Sequence, residues 1–177
     1  VYGNSSINLI STVLYLVLLF MSAIVSILGS IWIIQFLTRR DYEEKKEIIR
    51  HHNIGVAMVL GAFIWTIGRM CLETIKPIMN TWYTQYSAGV SLKIALYFSL
   101  GVLLSLMIAL LSGALVVFLA MRLLMVLTKD IDEWKELRKG NMAVAVIVSV
   151  TVIVLGMFFE TIISQLVLAL FNSMKLI

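Results

Sequence analysis

The chain has 177 residues, 61% of them hydrophobic and 14% charged, with a formal net charge of +4. Its mean hydropathy is +1.01, whereas a soluble domain is nearer half apolar and about a quarter charged. One cysteine excludes an internal disulfide framework, and the basic residues cluster beside apolar runs, which argues for membrane topology and against nucleic acid as a partner.

Because the chain begins at Val1, residues upstream are expected. Residues 1–6 carry no basic n-region, and the apolar run after them is too long for a signal-peptide core. Four apolar segments follow, at about 7–37, 54–75, 88–127 and 142–171, the third interrupted only by Lys93 and Arg122. Crossing a hydrocarbon core takes about 20 helical residues, so all four qualify and the second is the shortest. The first would be roughly 46 Å long and must tilt or project beyond the lipid. A closed barrel would need alternating strands, and "VLYLVLLFMSAIV" (residues 13–25) does not alternate. The expected fold is all-α: a polytopic membrane protein of four transmembrane helices, arranged as two hairpins, 1–87 and 88–177.

Lys and Arg set the expected orientation. Arg39, Arg40, Lys45, Lys46 and Arg50 follow the first span; Arg122, Lys129, Lys135, Arg138 and Lys139 end or follow the third; the other side has Lys76, Lys93 and Lys175. Ten against three puts both charged loops, 39–53 and 128–141, in the cytoplasm and both termini outside. The segment "NTWYTQY" (80–86) then suits the outer interface.

The two loops begin alike. "LTRRDYEEKKEIIRHHNIGVAMVLG" starts at Leu37 and "LTKDIDEWKELRKGNMAVAVIVS" at Leu127. Each unit is a long helix, a Leu-Thr exit, a charged loop, an Asn and a second helix. Asn53 and Asn141 are expected N-caps, since their side-chain oxygens can accept an orphan N–H. Equal in/out sense makes this a parallel repeat about an axis along the membrane normal. Small residues recur at helical spacing: Gly101, Ser105, Ala109 and Gly113 in the third span, Ser22, Ser26 and Ser30 in the first, and Ala57/Gly61 and Ala145/Ser149 after the caps. Such spacing lets helices approach closely. The stripes exceed what two hairpins require, so some are expected to face another subunit.

The stretch "ALYFSLGVLL…LTKDIDEWKELRKGNMAVAVIVSV" resembles the bacterial inner-membrane proteins grouped as "domain of unknown function 350". Asp132, Glu133, Trp134, Gly140, Asn141, Ala143 and Ala145 carry the likeness; in the first unit His52 stands where the second has glycine. The resemblance implies a four-helix fold of two such units and an inner-membrane location. It implies no reaction.

Charge inside a span is costly and marks candidate function. Arg69, Glu73 and Glu160 qualify. Arg69 and Glu73 are four apart and can pair on one helix; counted from Ile54, Arg69 lies roughly 24 Å along, close to the outer interface, as an interfacial ion pair would. Glu160 shares the face of Ala145, Ser149 and Gly156, and so points into protein. It is either a hydrogen-bonded packing residue or part of a proton or cation pathway. Glu73 and Glu160 both begin Glu-Thr-Ile triplets, but their distances from the Asn caps differ by one residue, or about 100° of rotation.

The remaining residues carry little chemistry. His51 and His52 point apart and lack further ligands at metal spacing. Cys71 reads as an apolar filler, and Trp134 as an interface anchor or partner contact. No phosphate loop, activated nucleophile or paired-histidine metal motif is present, so neither cofactor nor enzymatic activity is expected. The sequence supports a subunit or scaffold of an oligomeric membrane assembly, with cytoplasmic loops projecting toward a partner; the alternative is a channel or transporter subunit using Glu160.

Overall fold

The apolar runs become long helices, and the second outlasts its run. The structure is a computed structural model that describes residues 3–37, 52–86, 92–128 and 132–173. Within them lie α1 (Gly3–Leu37), α2 (Ile54–Tyr86), α3 (Leu92–Leu127), the short α4 (Glu133–Arg138) and α5 (Met142–Ser173). The four long helices are each long and apolar enough to cross a membrane, and the described residues hold no strand.

Expected to be the shortest span, α2 has 33 residues and continues through Pro77. The apolar run breaks at Lys76 and Asn80, but both of these are exposed. On the opposite side Ile78, Met79 and Trp82 are buried with Leu18, Val102, Val167 and Phe171, and the Trp82 ring lies 4.5 Å from that of Phe98. Packing around the last turns holds the helix together past a residue that lacks a backbone donor, a situation tolerated in membrane helices.

The bundle is built around α2, which packs on α1, α3 and α5. It is the least hydrophobic of the four spans, and half of it is buried, against about a fifth of α1. Lipid solvates Leu as well as a protein interior does, so aliphatic helices gain little by burial and the more polar one goes inside. The most extensive packing joins α2 to α5, the second helices of the two expected hairpins, rather than the helices within either hairpin. These two run parallel. A Cβ on Gly55 would lie 3.1 Å from Ala145, and one on Gly156 would lie 2.6 Å from Thr66. Each pair is 90 residues apart in sequence. In contrast, α3 runs antiparallel to both, with Gly113 against Ile67 and Gly101 against the Phe171 ring.

The small residues on α3 serve this packing. Gly101, Ser105, Ala109 and Gly113 are all buried within the chain, and a Cβ at Gly101 or Gly113 would approach Phe171 or Ile67 to 2.6 or 2.7 Å. The expectation that some of the small residues face another subunit therefore does not hold for the α3 stripe. Ala145 and Ser149 are buried too, and Ala57 is half-buried; Gly61 alone of the set is exposed, with open space around it. On α1, Ser22, Ser26 and Ser30 are buried and donate to the carbonyls of Leu19, Ala23 and Ser26.

The second charged loop does not project. Asp132 caps α4 by accepting from the Lys135 amide. Glu133 and Leu137 are buried, the Thr128 hydroxyl donates to Glu133, and Trp134 packs on the main apolar cluster. This segment folds back on the starts of α2 and α5 because it buries those side chains there. Loop residues 38–51 lie outside the described residues.

Candidate functional site

The parallel α2–α5 seam closes at Gly55–Ala145 and at Thr66–Gly156 toward its middle, and there it meets charge. The Arg69 guanidinium grips Glu160 with two hydrogen bonds, Nε to Oε2 at 3.0 Å and Nη2 to Oε1 at 2.9 Å. The same Nη2 is 3.6 Å from Glu73 Oε1, and Lys76 Nζ donates to that Glu73 oxygen. The residues expected to form a local pair on α2 and a separate carboxyl on α5 are one network, and the shorter Arg69 contact is the one between helices. The Glu73 and Glu160 side chains are 14% and 15% exposed, whereas Arg69 and Lys76 are 39% and 55% exposed.

The network lies deep in the span. Ile67 meets Gly113 and Trp82 meets Phe98, so Arg69 stands about level with Leu111 and Lys76 with Leu104. On α3 no charge occurs between Lys93 and Arg122, a stretch of roughly 42 Å that matches a whole bilayer with its headgroups. At its far end Arg122 leans over the Phe118 ring at 5.3 Å. The network faces the middle of that interval. Beyond Arg69, α2 continues for 17 residues, with an apolar cluster around them.

Chemically this is a fork-to-fork guanidinium–carboxylate pair, with two cations and two carboxylates in balance. Only an arginine offers that planar fork. Both Glu160 oxygens are engaged, which leaves the carboxylate poorly suited to binding a passing cation. Thr66 and Ser149, on the same seam, bury hydroxyl oxygens that have no partner among the described residues. Sequence reasoning missed the Arg69–Glu160 pair because the 91-residue offset is a product of interhelix register. A usable signal was present: a mid-span arginine calls for a carboxylate on a neighbouring span, and Glu160 is the carboxylate of another span.

At the other end of the seam both Asn residues cap helices. The Asn53 oxygen accepts from Val56 N at 3.1 Å, and its amide donates to the Leu137 carbonyl at 2.7 Å. It therefore ties α2 to α4. The Asn141 oxygen accepts from Ala143 N and Val144 N, and its amide donates to Glu136. Each Asn follows a left-handed residue, His52 (φ 51°) and Gly140 (φ 78°). Hydrogen bonds from Lys139 and then Asn141 hold the Glu136 carboxyl below its usual pKa. Cys71 is fully buried in the core. Among the described residues no group of three His, Cys, Asp or Glu side chains is placed to hold a metal.

Residues 94–174 match the family described as Domain of Unknown Function (DUF350). Over that stretch the chain is similar to the DUF350 family. The match spans α3, α4 and α5, so Glu160 and Asn141 lie inside the DUF350 region, while Arg69, Glu73 and Asn53 lie before it. No curated protein and no solved structure matches the chain. The four membrane-length helices make this a multi-pass membrane protein.

Proposed function

We propose that this protein is a non-enzymatic structural subunit, or scaffold, of an oligomeric assembly in a bacterial inner membrane. The observation that carries the reading is the Arg69–Glu160 pair: the mid-span carboxylate is committed to holding α2 against α5. The termini lie outside and the α4 side lies in the cytoplasm, supported by the ten-to-three basic asymmetry. The chain comprises two parallel repeat units, 1–87 and 88–177. In support, α2 and α5 run parallel, and each starts with a left-handed residue and an Asn cap. The exposed cations of α4 and its end, Lys135, Arg138 and Lys139, offer a surface to an acidic cytoplasmic partner, and the charged loop 39–53 is a second candidate contact.

The purified protein in vesicles tests the central point. A scaffold conducts neither protons nor monovalent cations, and Glu160→Gln lowers its thermal stability without altering flux. A flux that disappears in Glu160→Gln while the fold is retained would replace this reading with a proton or cation pathway. Cysteine at position 135 in a Cys71→Ser background tests orientation, and labelling from the outside alone would overturn it.

A further inference from the structure

We propose that the outward face of α2 is the contact between two copies of this chain. Met58, Gly61, Trp65, Arg69, Leu72 and Lys76 recur at three- and four-residue steps and so share one face. This face differs from the other exposed faces of the spans, because it carries charge at mid-membrane. Arg69 and Lys76 are 39% and 55% exposed there, where contact with lipid tails is costly. A protein surface that supplies acceptors removes that cost.

The face is also complementary to itself. A Cβ on Gly61 would meet nothing within 4 Å, so the residue is a notch. Trp65, one turn further along, is 59% exposed, so it is a knob. All copies insert in the same sense, and a twofold axis along the membrane normal keeps their α2 helices parallel. In that arrangement Trp65 of each copy enters the Gly61 notch of the other. A self-complementary patch of this kind closes at two subunits. The occupant is therefore a second copy, chosen by the fit of Trp65 into the Gly61 notch.

The proposal rests on the oligomeric reading above only in requiring a second copy, and two variants separate the two ideas. Gly61→Cys and Leu111→Cys are each made in a Cys71→Ser background and oxidised in native membranes; Leu111 is 68% exposed on α3. Cross-linked dimer from position 61 and none from 111 is expected. Dimer from 111 alone overturns the α2 interface and leaves an oligomer that uses another face. Equal yields at both positions indicate random collision and overturn the interface. No cross-link at either, with a monomer in native mass spectrometry, removes both the interface and the oligomer. Gly61→Leu gives an independent readout. The open space at Gly61 lets the monomer keep its thermal stability, while the filled notch weakens dimerisation by about tenfold or more. An unchanged dimer in Gly61→Leu overturns the proposal.

Discussion

Two pairs of parallel helices meet in this bundle, and only one of them closes. Along α2–α5, Gly55 sits on Ala145, Gly156 on Thr66 and Arg69 on Glu160. Along α1–α3, the helices touch where a Cβ on Gly29 would meet the Leu110 side chain at 2.5 Å; otherwise they part around an apolar groove of about 420 Å³, lined by residues such as Leu28, Trp32, Met107 and Leu111. Both pairs are strongly apolar. What distinguishes them is backbone approach and polar pairing, which small residues permit and long aliphatic side chains prevent. In lipid, hydrophobicity alone does not drive helices together. The closed seam is accordingly the one built from small residues and charge.

The largest break in that contrast should come from the ion pair. Arg69→Leu strands Glu160 in the seam, and an uncompensated buried charge costs about 3 kcal/mol or more. The double variant Arg69→Leu/Glu160→Leu should recover much of the loss, because a hydrophobic pair of similar volume often replaces a buried ion pair at little cost. Thermal unfolding in one detergent compares the single variants with the double. A double variant as unstable as the sum of the singles would show that the pair does not act as a unit.

Next come the seams themselves. Gly156→Leu forces a side chain onto Thr66 and should destabilise by about 1–3 kcal/mol. Leu111→Phe, at the mouth of the α1–α3 groove, should stay within about 0.5 kcal/mol of the parent. Equal effects in denaturation would mean that the two seams are not packed differently.

A smaller effect is expected where α2 and α5 begin. The left-handed backbone costs a non-glycine residue about 1 kcal/mol, so His52→Gly should stabilise the protein by roughly that amount and Gly140→Ala should destabilise it similarly. The pair of Tm shifts, opposite in sign, checks this.

The smallest effect concerns pH. The Glu136 carboxyl titrates below its ordinary value in the folded chain. Its contribution is therefore complete above the unfolded carboxyl pKa of about 4.3 and fades as the pH falls through the lower folded value. Amides at residues 141–144 should exchange faster with deuterium only below about pH 4, and Glu136→Gln should abolish that dependence.

The four spans were legible because 20-residue apolar runs leave the backbone no alternative to a helix in lipid. The Asn caps were legible too, because an N-cap is a local arrangement of a side chain and the next few amides. The end of α2 was not: Lys76, Pro77 and Asn80 interrupt its pattern, and the contacts that continue the helix come from Leu18, Val102, Val167 and Phe171 on three other helices. The placement of the α3 stripe was misread for the same kind of reason. Spacing shows that Gly101 and Gly113 share a face, but it cannot show that Phe171 and Ile67 fill that face.

By itself, then, the sequence determined the number of spans, the places where the second and fourth start and the residues that bear charge within them, since each follows from hydropathy and short-range geometry. Only the tertiary structure decided that Arg69 meets Glu160 and that α2 lies at the centre. Both depend on interhelix register and on competition among several faces for one interior, and no local run of residues records the outcome of that competition.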